Sequence, residues 1–192
     1  MKMEKEIRYL KTNDMSLNEE SRTIEGYAIV FNSPSEDLGG FIEIIERSAV
    51  DEDTLKRSDI LVKLNHNSDK ILARSKKGKG NLQLTIDDNG LYYRFEAPHT
   101  VYGEECLEQV RNGVIDSSSF CFTIAKGGER WERKGNTVYR YISKIDKLYD
   151  VSPVYTPAYE NTTCSKRCSD VLDYFNNTEP YLDNLIKEIN EL

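Results

Sequence analysis

The feature that most constrains the fold is a succession of short runs rich in β-branched and aromatic residues, each bounded by turn chemistry. Thr23 to Phe31 ends at Asn32-Ser-Pro-Ser, and Phe41 to Arg47 follows the Gly39-Gly40 break. Ile60 to Leu64, Ile71 to Ser75, Asn81 to Asp87, Leu91 to Glu96 and Val138 to Ile142 continue the pattern, and Tyr149 to Thr156 reads as the last strand. Such residues fit a pleated, half-buried surface, and Gly, Asn and Pro punctuate it. The separator Asp88-Asn-Gly90 carries the pair favoured in tight hairpins, so the strands on either side are expected to pair antiparallel. A further short strand is read at Ile7 to Leu10. Pro153 cannot donate to a ladder and places the last strand at an edge or a bulge.

Helical signals are fewer. Val101 to Arg111 reads as a helix with Thr100 as its cap, Glu104 and Glu105 in its first turns, and a narrow stripe of Leu107 and Val110. Ser48 to Lys56 suits one or two helical turns, with Asp51 and Glu52 near the start. Two helical patterns, at about 164 to 175 and 180 to 192, follow a polar junction, and the second carries Leu182, Leu185, Ile186 and Ile189 on one face. The reading is an α+β, β-rich chain, mostly antiparallel. Its segments are a polar lead-in over 1–21, a main domain over 22–160 and a helical C-terminal tail over 161–192.

With 192 residues and a formal net charge of -7, the chain has room for one substantial core and repels nucleic acid and anionic membranes as general partners. No apolar run reaches the ~20 residues that span a bilayer, and the first residues lack the apolar centre of a secretory signal. Cysteines at 106, 121, 164 and 168 and two histidines do not make a zinc-finger pattern, so neither a metal nor a cofactor is expected.

The stretch Asn112-Gly-Val-Ile-Asp-Ser-Ser-Ser-Phe-Cys-Phe-Thr123 joins a helix stop to a strand. Gly113 suits the left-handed residue after a helix. On the strand, Ser117, Ser119, Cys121 and Thr123 share one face, while Ser118, Phe120, Phe122 and Ile124 share the other. With the aromatic face toward the core, Ser117 and Ser119 point outward or into a cleft and Ser118 does not. His66 lies just past the end of the Ile60 to Leu64 strand, where a rigid sheet holds a loop residue in place. The basic run Arg74, Lys76, Lys77 and Lys79 reads as a soluble hairpin tip.

Taken in order, Gly26-Tyr-Ala-Ile-Val-Phe31, Phe41-Ile-Glu43, Leu64-Asn-His66, Ile71-Leu-Ala-Arg74, Ala97-Pro-His-Thr100, Gly113-Val-Ile-Asp-Ser-Ser-Ser119-Phe-Cys-Phe122 and Asp150-Val-Ser-Pro-Val-Tyr-Thr-Pro-Ala-Tyr159 resemble the prohead maturation protease family of tailed bacteriophages. The resemblance covers roughly residues 22 to 160. It implies a β-barrel flanked by helices, as in the related herpesvirus maturation proteases, and a serine endopeptidase that cuts the scaffold segment of the major capsid protein, or a separate scaffold protein. That work takes place inside the assembling procapsid in the bacterial cytoplasm, with self-cleavage and homo-oligomer formation as further expectations.

Carried over by position, the family's histidine falls on His66, its serine on Ser119 and its acidic residue on Asp150. Family members carry Gly-Met or similar before the serine and glycine after the first phenylalanine, where this chain has Ser117, Ser118 and Cys121. Alternation leaves Ser117 as the alternative nucleophile; the resemblance to viral relatives that use a second histidine makes His99 the alternative third member, and Arg74 is at most a helper. The competing function is a non-catalytic structural or scaffold protein on a similar β-fold. A general esterase lacks support because Gly-x-Ser-x-Gly is absent.

Overall fold

The computed structural model describes residues 4–11 and 15–155. Fourteen strands and two α-helices fill them, so the β-rich α+β reading holds. In chain order the strands are β1 (Glu6–Lys11), β2 (Ser16–Asn18), β3 (Thr23–Val30), β4 (Pro34–Asp37) and β5 (Phe41–Ile45). Helix α1 (Glu52–Arg57) precedes β6 (Asp59–Lys63), β7 (Ile71–Lys76), β8 (Lys79–Gly80), β9 (Leu82–Ile86) and β10 (Gly90–Glu96). Helix α2 (Val101–Arg111) leads to β11 (Ser117–Ile124), followed by β12 (Glu129–Lys134), β13 (Thr137–Ile142) and β14 (Ile145–Val154). The tail assigned to 161–192 lies outside the described residues.

Three sheets form. One has the order β1-β11-β14-β6-β7-β8, a second β2-β3-β10-β9 and a third β12-β13-β5-β4. Most neighbours are antiparallel; β13 with β5 and β14 with β6 are parallel. The pairings leave each sheet open, so the barrel implied by the resemblance is not closed by strand pairing among the described residues. Adjacent strands in sequence pair through hairpins that are readable locally, whereas closure depends on distant pairings that are not.

Local chemistry explains the elements. β9 and β10 pair antiparallel across the Asp88-Asn-Gly90 turn, as expected. Gly90 is required there because a Cβ would lie 1.9 Å from the Ile29 carbonyl oxygen. Thr100 caps α2 by accepting from the Gly103 amide, and Asp51 caps α1 by accepting from Thr54. Gly113 takes φ +66 after α2, and the Val114 amide returns to the Gln109 carbonyl, which closes the helix end.

The main core collects Ile24, Leu91, Tyr93 and Phe95 from the second sheet and Ile60, Val62, Phe122, Leu148 and Val151 from the first. Each large apolar side chain so buried contributes about 1.5–3 kcal/mol. A buried ionic cluster borders this core on the face where Glu6 and Arg8 of β1 stand opposite Phe122 and Phe120. Arg8 binds Glu43 at 2.7 Å and Glu6 at 2.6 Å, and Arg140 binds Glu6 at 2.6 Å, Glu43 at 3.0 Å and Glu129 at 2.6 Å. Residues 6–11, assigned to a polar lead-in, are thereby tied into the first and third sheets; the alternation of charges that reads as solvated is matched residue by residue in the interior.

β14 is flanked by β11 and β6, so Pro153 does not mark an edge strand. Register shifts in the β11 and β14 pair fall at Cys121/Phe122 and Thr123/Ile124, away from Pro153, which pairs with Ser118. The registered contact with β6 is at Asp150 and Leu61, short of the proline.

Candidate active site

The site lies on one face of the first sheet, and strand register assembles it. Ser119 pairs with Tyr9 of β1 on one side and Ser152 of β14 on the other, and Cys121 pairs with Ile7 and Asp150. Residues directly opposite in an antiparallel pair share a face, so Tyr9, Ser119, Cys121, Asp150 and Ser152 stand on one surface. The opposite surface carries Ser118, Phe120 and Phe122 into the core, as alternation requires. The serine face is not solvated, however: Ser117, Ser118 and Ser119 are all buried. β1 covers one flank of β11 and β14 the other, an arrangement invisible in the serines themselves.

His66 reaches this face from a tight turn. After β6 the chain forms a 3-10 turn over Leu64–His66 in which Asn65 and His66 both adopt left-handed backbone angles, φ 49° and φ 57°. Asparagine tolerates that region and histidine does so at a cost, the kind of strain that persists where surrounding structure fixes a side chain. The turn carries the imidazole back over β14.

There, His66 Nε2 lies 2.5 Å from Ser119 Oγ, and Nδ1 lies 2.8 Å from Asp150 Oδ1. The second approach is close but off-axis, since Nδ1 is buried without an aligned hydrogen-bond acceptor. It is a close contact that a small ring rotation converts into a hydrogen bond, and such contacts tighten when substrate is bound.

Asp150 has other partners. Lys63 Nζ lies 3.2 Å from Oδ2, and Ser152 Oγ donates to Oδ1 at 3.1 Å while accepting from the Lys63 amide at 3.3 Å. Burial raises the cost of charging Asp150, but its contacts with His66 and Lys63 outweigh it, so the carboxyl titrates below its usual 3.8. The Cys121 thiol is pushed up to about 11 by burial and by Asp150, which keeps it neutral and unreactive. Tyr9 stands edge-on to the His66 ring, centroids 5.8 Å apart, and its hydroxyl is shifted upward by burial and by Asp150.

Of the residues singled out in the sequence, the structure brings His66, Ser119 and Asp150 together. It separates the others. Ser117 Oγ donates to Asp116 at 2.7 Å, and Ser118 Oγ pairs with the Tyr93 hydroxyl at 3.0 Å. His99 is exposed, with Glu104 as its acidic neighbour at 4.0 Å. Arg74 is engaged with Asp59 across the β6 and β7 pair at 2.7 Å. Among the described residues, no group of three or more His, Cys, Asp or Glu side chains is placed to hold a metal ion. In the same residues no helix is long and apolar enough to cross a membrane.

Tyr9, Lys63, Ser152 and the Arg8 carbonyl escaped the sequence reading. Two left a trace: Ser152 is two residues from Asp150 on a strand and so shares its face, and Lys63 interrupts an apolar run three residues before His66. Tyr9 and Arg8 left none, because their place depends on the pairing of β1 with a strand more than a hundred residues away.

A hydroxyl, an imidazole and a carboxylate in line are the groups with which serine hydrolases open acyl bonds. The chain belongs to the caudovirus prohead serine protease family, whose model matches residues 8–175. Its fold is similar to that of the bacteriophage T4 capsid assembly protease gp21, with a TM-score of 0.50 and 13% identity over 81% of this chain and 98% of that one. A comparison with curated proteins finds no match.

Proposed function

We propose that this chain is a serine endopeptidase of phage procapsid maturation, with Ser119 as nucleophile, His66 as general base and acid, and Asp150 as the group that orients and charges against the imidazole. One observation supports the reading above all: the continuous path from Asp150 Oδ1 at 2.8 Å to Nδ1, and from Nε2 at 2.5 Å to Ser119 Oγ. Ser119 Oγ attacks the scissile carbonyl as His66 Nε2 takes its proton. The proton then passes to the leaving amine, the C–N bond breaks and an acyl-enzyme remains. Water, deprotonated by His66, attacks the ester, and the serine hydroxyl is restored. Asp150 keeps the imidazole oriented and offsets its charge while it carries the proton.

Family membership supports capsid or scaffold protein as substrate, and the procapsid interior as the place of action. The scaffold segment as the cut site, self-cleavage, self-association, the kinship with herpesvirus maturation proteases and the catalytic domain over 22–160 belong to the same proposal. The competing reading, a non-catalytic structural protein, draws on one feature: Ser119 is buried, and its hydroxyl also donates to the Arg8 carbonyl at 2.7 Å.

Co-expression with the cognate capsid protein and its scaffold separates the two readings. Wild type is expected to shorten one of them, and Ser119→Ala and His66→Ala are expected to leave both at full length while remaining folded. Cleavage that persists in Ser119→Ala but stops in Ser117→Ala overturns the assignment of the nucleophile. Full-length proteins with every variant, wild type included, favour the structural reading.

A further inference from the structure

The carboxylate of Asp150 is held from more directions than a simple triad requires. Oδ1 meets His66 Nδ1 at 2.8 Å and accepts from Ser152 Oγ at 3.1 Å, and Oδ2 meets Lys63 Nζ at 3.2 Å. Lys63 makes a second link to the same group, because its backbone amide donates to Ser152 Oγ at 3.3 Å. The lysine side chain is only 16% exposed and the aspartate side chain 4%, so the pair is largely withdrawn from solvent. Surface lysine pairs exchange freely with water and contribute little; one enclosed beside a carboxylate fixes that carboxylate's orientation and moderates its field.

We propose that Lys63 is a positioning residue, which with Ser152 clamps the Asp150 carboxylate so that one oxygen is presented to His66 Nδ1. This inference rests on the catalytic roles proposed above. Lys63 comes to this position because β6 carries it, on the face shared with Leu61, opposite Asp150, and the chain turns immediately afterwards to deliver His66. One strand end thus supplies both the imidazole and the cation that holds the imidazole's partner.

The charges around Asp150 give the clamp a measurable sign. Facing it are His66 from the turn, Lys63 from β6, Tyr9 from β1 and Cys121 from β11, and Lys5 acts on Cys121 from just before β1. Tyr9 and Cys121 are neutral near pH 7, so Lys63 is the cation bound to the carboxylate. Removing it leaves the full negative charge of Asp150 directed at His66, which favours the protonated imidazole.

The test is an NMR titration of the imidazole protons in the full chain, which has two histidines. His99, exposed, serves as the internal reference. In Lys63→Met the His66 midpoint is expected to rise by roughly one pH unit relative to wild type, the size of effect a neighbouring charge produces, while His99 stays in place. Lys63→Arg is expected to restore the wild-type midpoint, and Lys63→Gln repeats the measurement should the methionine variant fail to fold.

Where cleavage is measurable, the acid limb of the kcat/KM profile should move in the same direction in Lys63→Met and return in Lys63→Arg. Unchanged His66 midpoints in both neutral variants overturn the positioning role. So does an identical shift in Lys63→Arg, since a cation would then not be what matters. Because the titration needs no turnover, these outcomes stand apart from failure of the protease reading, which shows instead as absence of Ser119-dependent cleavage in wild type.

Discussion

The hydroxyl of Ser119 donates to the main-chain carbonyl of Arg8 at 2.7 Å. A hydroxyl has one proton, and a carbonyl can only accept, so in this arrangement His66 Nε2 at 2.5 Å acts as the donor to Oγ. Attack requires Nε2 to give up that proton and the hydroxyl to turn from Arg8 to His66. Tyr9, the next residue of β1, stands across from Ser119 and edge-on to His66. Tyr9→Ala is therefore expected to speed phosphonylation of Ser119 by a small fluorophosphonate, with loss of fluoride, measured by quenched-flow labelling with intact-mass readout. A slower rate, with the fold preserved, would show that the tyrosine assists the site rather than covers it.

Asp150→Asn keeps the shape of the site and removes the charge opposite His66. The expected loss is on the order of 10⁴-fold, as for the orienting carboxylates of serine-protease triads. Steady-state cleavage of a peptide substrate measures it. An unaffected rate transfers the third role away from Asp150.

Among the described residues Arg140 is the largest fully buried side chain, and its guanidinium is shared by Glu6, Glu43 and Glu129. Arg140→Met is expected to cost about 3–5 kcal/mol in urea unfolding, as when a buried ion pair loses one partner. Burial alone would raise the Glu6 pKa, but Arg140 and Arg8 hold it below its usual 4.5. A depressed carboxyl stabilises the fold fully above its unfolded value and loses that contribution as pH falls through its folded one. Wild type should therefore lose stability below pH 4.5 more steeply than Arg140→Met does.

Cys121 sits on the same face as Ser119 and competes with it on position alone. Its thiol, pushed up to about 11, and that of Cys106, pushed up to about 12 by burial, are both neutral at pH 7.5. Site-resolved mass spectrometry after brief iodoacetamide treatment should find Cys121 and Cys106 unmodified in the native protein and modified in urea. Rapid native labelling of Cys121 would make it a second nucleophile in the site.

What the sequence made legible follows the range of its signals. Alternation on the serine strand is a two-residue rule, and it correctly put Ser118 with Phe120 and Phe122 and kept Ser117 and Ser119 together. Hairpin and cap chemistry, at Asn89-Gly90 and Thr100, is equally local and was read correctly. His66 was marked locally only by its place just past a strand end; its role, and Asp150 altogether, came from the ordered blocks of the family resemblance. What stayed hidden depends on pairing between distant segments. β1 is short and polar, and its charges look solvated until Arg140 and Glu43 are placed beside them. The flanks of β14 are set by β11 and β6, which Pro153 alone does not reveal. Lys63 has meaning only once the Leu64–His66 turn folds back over β14.

The central claim is that Ser119 is a nucleophile activated by His66. Fluorophosphonate labelling of wild type, His66→Ala and Ser117→Ala, followed by peptide mapping, tests it most directly. The prediction is a single phosphonylated residue, Ser119, in wild type and in Ser117→Ala, and no label in folded His66→Ala. Label on Ser117, or label on Ser119 that survives loss of His66 at an unchanged rate, contradicts it.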